Sequence, residues 1–177
     1  MFKKLSIIFA SLALAFASFG FSVLPVSAKT ANKSDYLSQS STPISAGETL
    51  NQSVGNEGLY MPSSGYNGNL VLTRLAQDEA QHTPMGLRFS QPLINFSVTQ
   101  SSNRQETFLH GQTYVYFNLS KTEMTAWKNG DLSIYWYNPT TQTWTAVPTS
   151  FDSHGNTGGR VYTLATSFGT YGVGIMH

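Results

Sequence analysis

The sequence predicts an all-β fold, an antiparallel two-sheet β-sandwich with one short helical turn. About seven or more short runs of alternating apolar and polar residues follow Gly47, and turns rich in Gly, Pro, Asn and Ser separate them. This two-residue period is typical of strands that bury one face. The chain has no cysteine, so disulfides and thiolate zinc sites are excluded and a packed core has to stabilise the fold.

The first clear strands lie in the middle of the chain. Residues 69–75 (NLVLTRL) form a dense aliphatic run after a turn-rich segment. Residues 87–99 contain two alternating segments separated by Pro92. Because proline cannot donate to a strand ladder, Pro92 predicts an edge position, a bulge or a crossing between sheets.

The next run, TYVYFNL, has two distinct faces. Val115, Phe117 and Leu119 share one face, and Tyr114 and Tyr116 share the other. Since successive side chains of a strand point to opposite sides, we expect the face with Val115, Phe117 and Leu119 to be buried and both tyrosines to point outward.

A helical turn and two closing strands complete the C-terminal half. Ser120 and Glu123 have the spacing of a capping box, which predicts one short helical turn at residues 120–123. Residues 160–166 and 170–175 alternate again and predict the last two strands.

Residues 132–137 and 143–147 predict a hairpin joined by a turn that contains Pro139. The first arm places three apolar side chains on one face, which are Leu132, Ile134 and Trp136. We expect Tyr135 and Tyr137 to lie on the outer face, and Trp144 in the second arm to be a core residue.

The N-terminus has the three parts of a secretory signal peptide. Lys3 and Lys4 provide a positive start, an uncharged apolar stretch follows over residues 5–21, and small residues end at Ala28. We expect cleavage between Ala28 and Lys29. The alternative is an uncleaved membrane anchor, because the apolar stretch is nearly long enough to span a bilayer.

Three segments follow from this interpretation: a signal peptide at 1–28, a flexible polar leader at 29–46 and the β-sandwich domain at 47–177. The leader is rich in Ser, Thr, Asn and Gln and has few large apolar residues to offset the entropy of ordering. No second apolar run reaches spanning length, so we expect no transmembrane segment after signal removal. The predicted location is extracellular or at the cell surface.

Charge and motif content argue against several classes of function. The chain has 10 Lys and Arg against 9 Asp and Glu, scattered singly without a basic stripe, so nucleic acid is not an expected partner. The four histidines form no metal-binding spacing, and the usual hydrolase motifs are missing. The loop after Asp152 lacks the alternating acids of a calcium loop. We therefore predict no catalytic residue, no metal and no cofactor.

The C-terminal part of the chain resembles a known family. The pattern runs through Leu132–Tyr137, Asn138–Thr141, Trp144 and Ser167–Val173, and Gly86–Leu93 resembles the preceding strand. This order is similar to that of the ZU5-like β-sandwich modules of microbial surface and secreted proteins, over about residues 86–174. The resemblance implies an immunoglobulin-like or ZU5-like sandwich without a shared active site, and hence a binding, spacer or structural role.

The outward tyrosines are the candidate ligand-binding residues. If their strands were neighbours, Tyr114, Tyr116, Tyr135 and Tyr137 would form a flat aromatic patch. Such a surface stacks on sugar rings or on a partner protein. The alternatives are cross-strand pairing that only stabilises a solvent face, or burial under a loop.

Three functional hypotheses remain open on the sequence alone. The favoured one is a secreted, non-catalytic extracellular β-sandwich with a surface, matrix or interaction role. The second is a carbohydrate-binding module that uses the tyrosine patch, and the third is a secreted hydrolase with a dispersed site. The expected partners are an extracellular polysaccharide or a cell-surface protein.

Overall fold

The computed structural model describes residues 36–107, 109–154 and 158–177. Its strands are β1 (Tyr36–Ile44), β2 (Leu50–Val54), β3 (Glu57–Met61), β4 (Gly68–Leu75), β5 (Leu87–Phe89), β6 (Leu93–Gln100), β7 (Tyr114–Leu119), β8 (Leu132–Asn138), β9 (Thr143–Val147), β10 (Ser150–His154), β11 (Gly158–Leu164) and β12 (Gly169–Met176). One α-helix, α1 (Lys121–Asn129), and a 3₁₀ turn at Gln77–Glu79 complete the described elements. The predicted signal peptide and its cleavage site lie outside the described residues.

The strands form two antiparallel sheets, so the predicted two-sheet sandwich is confirmed. The larger sheet has the order β1-β4-β6-β12-β8-β9, and β5 also pairs with β12. The smaller sheet has the order β10-β11-β7-β3-β2. Alternation along each strand places one face of each sheet against a shared core.

The core lies between the sheets and follows the predicted alternation. Val115 and Phe117 from β7 are fully buried, as are Ile134 from β8 and Val173 from β12. Trp136 is half-buried and packs against the same cluster. The predicted facing of these strands is therefore confirmed.

Pro92 lies at a break within the larger sheet. β5 pairs with one end of β12 and β6 pairs with the other end. Between them, the backbone N–H of Ser90 donates to Val173 O at 3.0 Å. Pro92 therefore interrupts the pairing along β12 and does not mark a crossing between sheets, because β5 and β6 both pair with β12.

The helix is longer than the predicted single turn. Its capping box is present, with Ser120 Oγ accepting from Glu123 N at 3.3 Å and Glu123 Oε2 accepting from Ser120 N at 2.7 Å. The segment contains no glycine or proline before Gly130, which ends the helix at a φ of 83°. Within the described ranges, no helix has the length and apolar character needed to cross a membrane.

The predicted flexible leader at residues 29–46 is wrong for its C-terminal part. Residues 36–44 form β1, which pairs with β4 along its length at the edge of the larger sheet. Ile44 is part of the core. An edge strand is held by backbone hydrogen bonds, so a run of Ser, Thr and Gln can form one with few large apolar side chains. Residues 29–35 lie outside the described residues.

Candidate functional site

The four candidate tyrosines do not form one patch. β7, which carries Tyr114 and Tyr116, belongs to the smaller sheet, whereas β8, which carries Tyr135 and Tyr137, belongs to the larger sheet. Helix α1 lies between these strands in the chain, and the chain changes sheets there. The expectation that the two strands are neighbours is therefore wrong, and the two tyrosine pairs face opposite outer sides of the sandwich.

The pair on β8 belongs to a packed aromatic cluster. Tyr135 is 9% exposed, and its ring meets Phe89 edge-on at 6.3 Å between centroids. The ring centroids of Tyr137 and Trp144 are 5.2 Å apart. Trp144 Nε1 donates to Gln81 O in the β4–β5 loop at 2.8 Å. Burial raises the pKa of the Tyr135 phenol. Both alternatives apply to this pair, since Tyr137 lies directly opposite Trp144 across β8 and β9, and the β4–β5 loop packs on the cluster through Gln81.

Trp144 is buried, but outside the main core. It packs with Leu87, Phe89, Leu93 and Tyr135 in a second cluster on the outer side of the larger sheet. The prediction that Trp144 is buried is therefore confirmed, but its side chain lies in this second cluster and not in the core between the sheets. The two tryptophans of the hairpin stabilise different faces of the same sheet.

The pair on β7 lines a groove of about 460 Å³ on the outer face of the smaller sheet. We name it the tyrosine groove, and its lining residues are Asn51, Tyr60, Pro62, Tyr114, Tyr116, Asp152, Arg160 and Tyr162. This volume lies in the range of small-molecule binding sites. The lining comes from all five strands of the sheet and from Pro62, next to β3.

Strand register brings the four tyrosines of the groove together. Tyr60 on β3 lies directly opposite Tyr114 on β7, and Tyr116 lies opposite Tyr162 on β11. The ring centroids of Tyr60 and Tyr114 are 6.2 Å apart, and those of Tyr114 and Tyr162 are 6.1 Å apart. The rings therefore form a continuous aromatic surface across three adjacent strands.

Tyr116 forms the floor of the groove. Its ring lies over Gly58 of β3, where a Cβ atom would overlap the ring. Its hydroxyl donates to Asn51 Oδ1 at 3.2 Å, and the guanidinium carbon of Arg160 lies 4.2 Å from the ring centre. Tyr116 is only 5% exposed, because glycine admits the ring on one side and arginine covers it on the other.

Two charged side chains occupy one end of the groove. Asp152 on β10 lies directly opposite Arg160 on β11 in the antiparallel register. Arg160 Nε also donates to Asn118 Oδ1 at 3.0 Å. Among the described residues, no three His, Asp or Glu side chains are grouped as a metal ion would need. The groove therefore offers aromatic rings, hydroxyls, amides and one pair of opposite charges.

Sequence reasoning found two of the groove tyrosines and missed the other two. Tyr60 and Tyr162 occupy alternate positions of short strands, as Tyr114 and Tyr116 do. That alternation could have placed them on outer faces. It could not have shown that β3 and β11 flank β7, because this pairing joins segments that are far apart in the chain.

Comparison of the chain with protein-family models, with curated proteins and with solved structures gave no match. The resemblance of residues 86–174 to ZU5-like modules therefore stays a prediction. A functional proposal has to rest on the geometry of the tyrosine groove.

Proposed function

We propose that the chain is an exported, non-catalytic binding domain that takes a carbohydrate chain into the tyrosine groove. The observation that carries the proposal is the convergence of four tyrosines from three adjacent strands on one groove. A tyrosine side chain combines an apolar ring with a polar tip. A sugar combines apolar ring faces with hydroxyl groups, so the two surfaces are complementary.

Exposed apolar surface beside the groove supports a binding role. Tyr60 is 39% exposed, and Leu164, which lies opposite Tyr114 in the register, is 49% exposed. Large apolar side chains that cluster on an exposed face mark interaction sites. The exposed apolar surface on this face is therefore suited to being covered by a ligand. If that ligand is a polysaccharide, binding would retain the protein on it, which is consistent with a surface or matrix role.

The groove is also held in place before a ligand arrives. Its rings stand on paired strands, and Tyr116 is fixed by Gly58, Asn51 and Arg160. Side chains that are already ordered lose little conformational entropy on binding. This rigidity lowers the entropic cost of binding a ligand that fits the groove as it stands.

The composition of the groove favours binding over hydrolysis. Glycoside hydrolases use two carboxyl groups that flank the scissile bond. Among the described residues that line the groove, Asp152 is the single carboxylate. A carboxylate pair would have to be completed from elsewhere, so the hydrolase hypothesis has less support.

Affinity electrophoresis through gels that contain a β-glucan, a galactomannan or soluble chitin derivatives tests the proposal. We expect at least one polysaccharide to retard the full-length protein, and the double variant Tyr60→Ala with Tyr162→Ala to lose at least about tenfold in affinity, since stacked aromatics supply much of the contact energy. The matched control is Tyr137→Ala, a half-buried tyrosine on the other sheet. The proposal is overturned if no polysaccharide retards the protein, or if the double variant and the control bind equally.

A further inference from the structure

The tyrosine groove runs across the strands of the smaller sheet and not along them. Its lining extends from Asn51 on the edge strand β2 to Asp152 on the opposite edge strand β10. Neighbouring strands lie about 4.8 Å apart, so this lining covers about 19 Å across the sheet. A volume of about 460 Å³ spread over that length makes a narrow groove.

One side of the groove is a straight row of side chains on the outer face. In the antiparallel register Asn51 lies opposite Tyr60, and Tyr60 lies opposite Tyr114. Leu164, opposite Tyr114, continues the row onto β11 and is 49% exposed. Directly paired residues lie on a line perpendicular to the strands, because the hydrogen bonds between antiparallel strands are perpendicular to them. The row therefore gives the groove its direction.

The floor and the other side of the groove follow the same direction. Tyr116 and Tyr162 lie opposite each other in the next outward-facing row, two residues along their strands from the first row. Tyr116 is nearly buried and forms the floor, and Arg160 lies over its ring. Along the strands the groove is therefore bounded by the Tyr114 row and by Arg160, and its long axis crosses the strands.

This shape fits an extended linear sugar chain. In an extended β-1,4-linked chain, each sugar residue advances the chain by a length close to one strand spacing, so about four residues match the lining. The ring centroids of Tyr60 and Tyr114 are 6.2 Å apart and those of Tyr114 and Tyr162 are 6.1 Å apart, which supplies apolar surface at a similar interval. A coiled chain, such as an α-1,4-linked glucan, curves away from a straight groove.

On the basis of the function proposed above, we infer that the tyrosine groove binds a stretch of about four sugar residues of an extended, β-1,4-linked chain that lies across the strands. Tyr60 on β3 and Tyr162 on β11 stand on either side of β7, so they contact different parts of that stretch. Affinity then rises with the length of the ligand until the ligand fills the groove.

Isothermal titration calorimetry with oligosaccharides of two to six residues tests the inference. The probes are cello-, manno- and chito-oligosaccharides, and malto-oligosaccharides provide the coiled comparison. We expect at least one β-1,4-linked series to gain at least about tenfold in affinity between two and four residues and little between four and six. We expect the malto-oligosaccharide of six residues to bind at least about tenfold more weakly than its β-1,4-linked counterpart.

Tyr60→Ala and Tyr162→Ala each remove contacts at one part of the groove. Each variant should bind the four-residue ligand at least about fivefold more weakly and the two-residue ligand almost as the wild type does, because the short ligand can use the other part. The control Tyr137→Ala, on the other sheet, should keep the dependence on length seen in the wild type. Equal losses for the short and the long ligand would overturn the assignment of the two tyrosines.

Three outcomes separate this inference from the proposed function. If a polysaccharide retards the protein but affinity does not change between two and six residues, or if the malto-oligosaccharides bind best, the inference is wrong while carbohydrate binding stands. Binding that requires more than six residues also overturns it, since such a ligand exceeds the groove. If neither polysaccharides nor oligosaccharides bind, the proposed function itself fails and the inference fails with it.

Discussion

Glu57 and Arg74 form an ion pair that joins the two sheets, with Arg74 Nε 2.9 Å from Glu57 Oε2. Glu57, on β3 of the smaller sheet, is fully buried, while Arg74, on β4 of the larger sheet, is partly exposed. Burial raises the pKa of the Glu57 carboxyl, and Arg74 opposes part of that rise. The carboxylate therefore depends on the arginine for its charged form in the folded state.

Arg74→Met should lower the free energy of unfolding by about 3–5 kcal/mol at neutral pH, because it leaves a buried carboxylate without its partner. With a folded-state pKa above the unfolded value, protonation of Glu57 favours the folded state. The stability from this group is present below the unfolded pKa and is lost as the pH rises through the folded pKa. The deficit of the variant should therefore shrink on acidification, as urea unfolding over a pH series would measure.

Glu57→Gln in the Arg74→Met background is the matched control for that series. It removes the titrating group, so the free energy of unfolding of the double variant should lack the pH dependence that Glu57 gives to Arg74→Met. A deficit of Arg74→Met that is the same at acidic and neutral pH would show that Glu57 does not carry the effect.

Trp144→Ala should lower the free energy of unfolding by about 3–5 kcal/mol, the usual cost of emptying a buried aromatic site. The variant also removes the donor to Gln81 O and so loosens the β4–β5 loop. Trp136→Ala should cost roughly 1–2 kcal/mol, because that ring is only half-buried. Denaturant titration of both variants checks the order, and a larger loss at Trp136 would contradict the assignment of the two clusters.

Gly58→Ala should destabilise the domain by about 1–3 kcal/mol, because the new methyl group overlaps the Tyr116 ring. In a Tyr116→Ser background the same change should cost less, since the ring is gone. A double-mutant cycle measured by denaturation gives the coupling, and we expect at least about 0.5 kcal/mol. Additive effects would mean that the ring does not lie over Gly58.

The pairing of β1 with β4 should protect residues 36–44 from proteolysis and amide exchange. Limited proteolysis of the full-length protein should therefore spare residues 36–44. Hydrogen exchange should find slowly exchanging amides in β1, as in its partner β4. Rapid cleavage between residues 36 and 44 would favour the flexible leader that the composition predicts.

Export should remove residues 1–28, so N-terminal sequencing of secreted protein should begin at Lys29 or within a residue or two of it. Protein that stays in the membrane fraction with its first residues attached would support the anchor instead. Replacing Ala28 by a bulky residue should slow the cleavage, because the peptidase requires small side chains there.

Much of the fold follows from alternation alone. Val115 and Ile134 are buried as a two-residue period requires, and Pro92 interrupts the sheet as a residue without an N–H must. The composition of residues 36–44 predicts a flexible segment, whereas the structure has a strand there. Apolar content indicates how much surface a strand can bury, but it does not account for the backbone hydrogen bonds that an edge strand forms.

The candidate site was only half predictable, for a topological reason. The outward direction of Tyr114 and Tyr116 is a local property of one strand. Their neighbours Tyr60 and Tyr162 depend on which strands pair, and a short sequence separation favours β8 over the true partners β3 and β11. The local pattern of a strand thus predicts which way its side chains point. Which residues of different strands form one site can be predicted only when the order of the strands in the sheet is known.

Because the tyrosine groove is assembled from strands in both halves of the chain, it exists only while the smaller sheet keeps its register. Any ligand of the groove therefore binds the folded protein and not the unfolded chain. Such a ligand shifts the folding equilibrium toward the native state, by about 2.7 kcal/mol at a concentration one hundred times its Kd. Thermal melting of the protein against a panel of glycans would thus reveal the ligand as a rise in Tm.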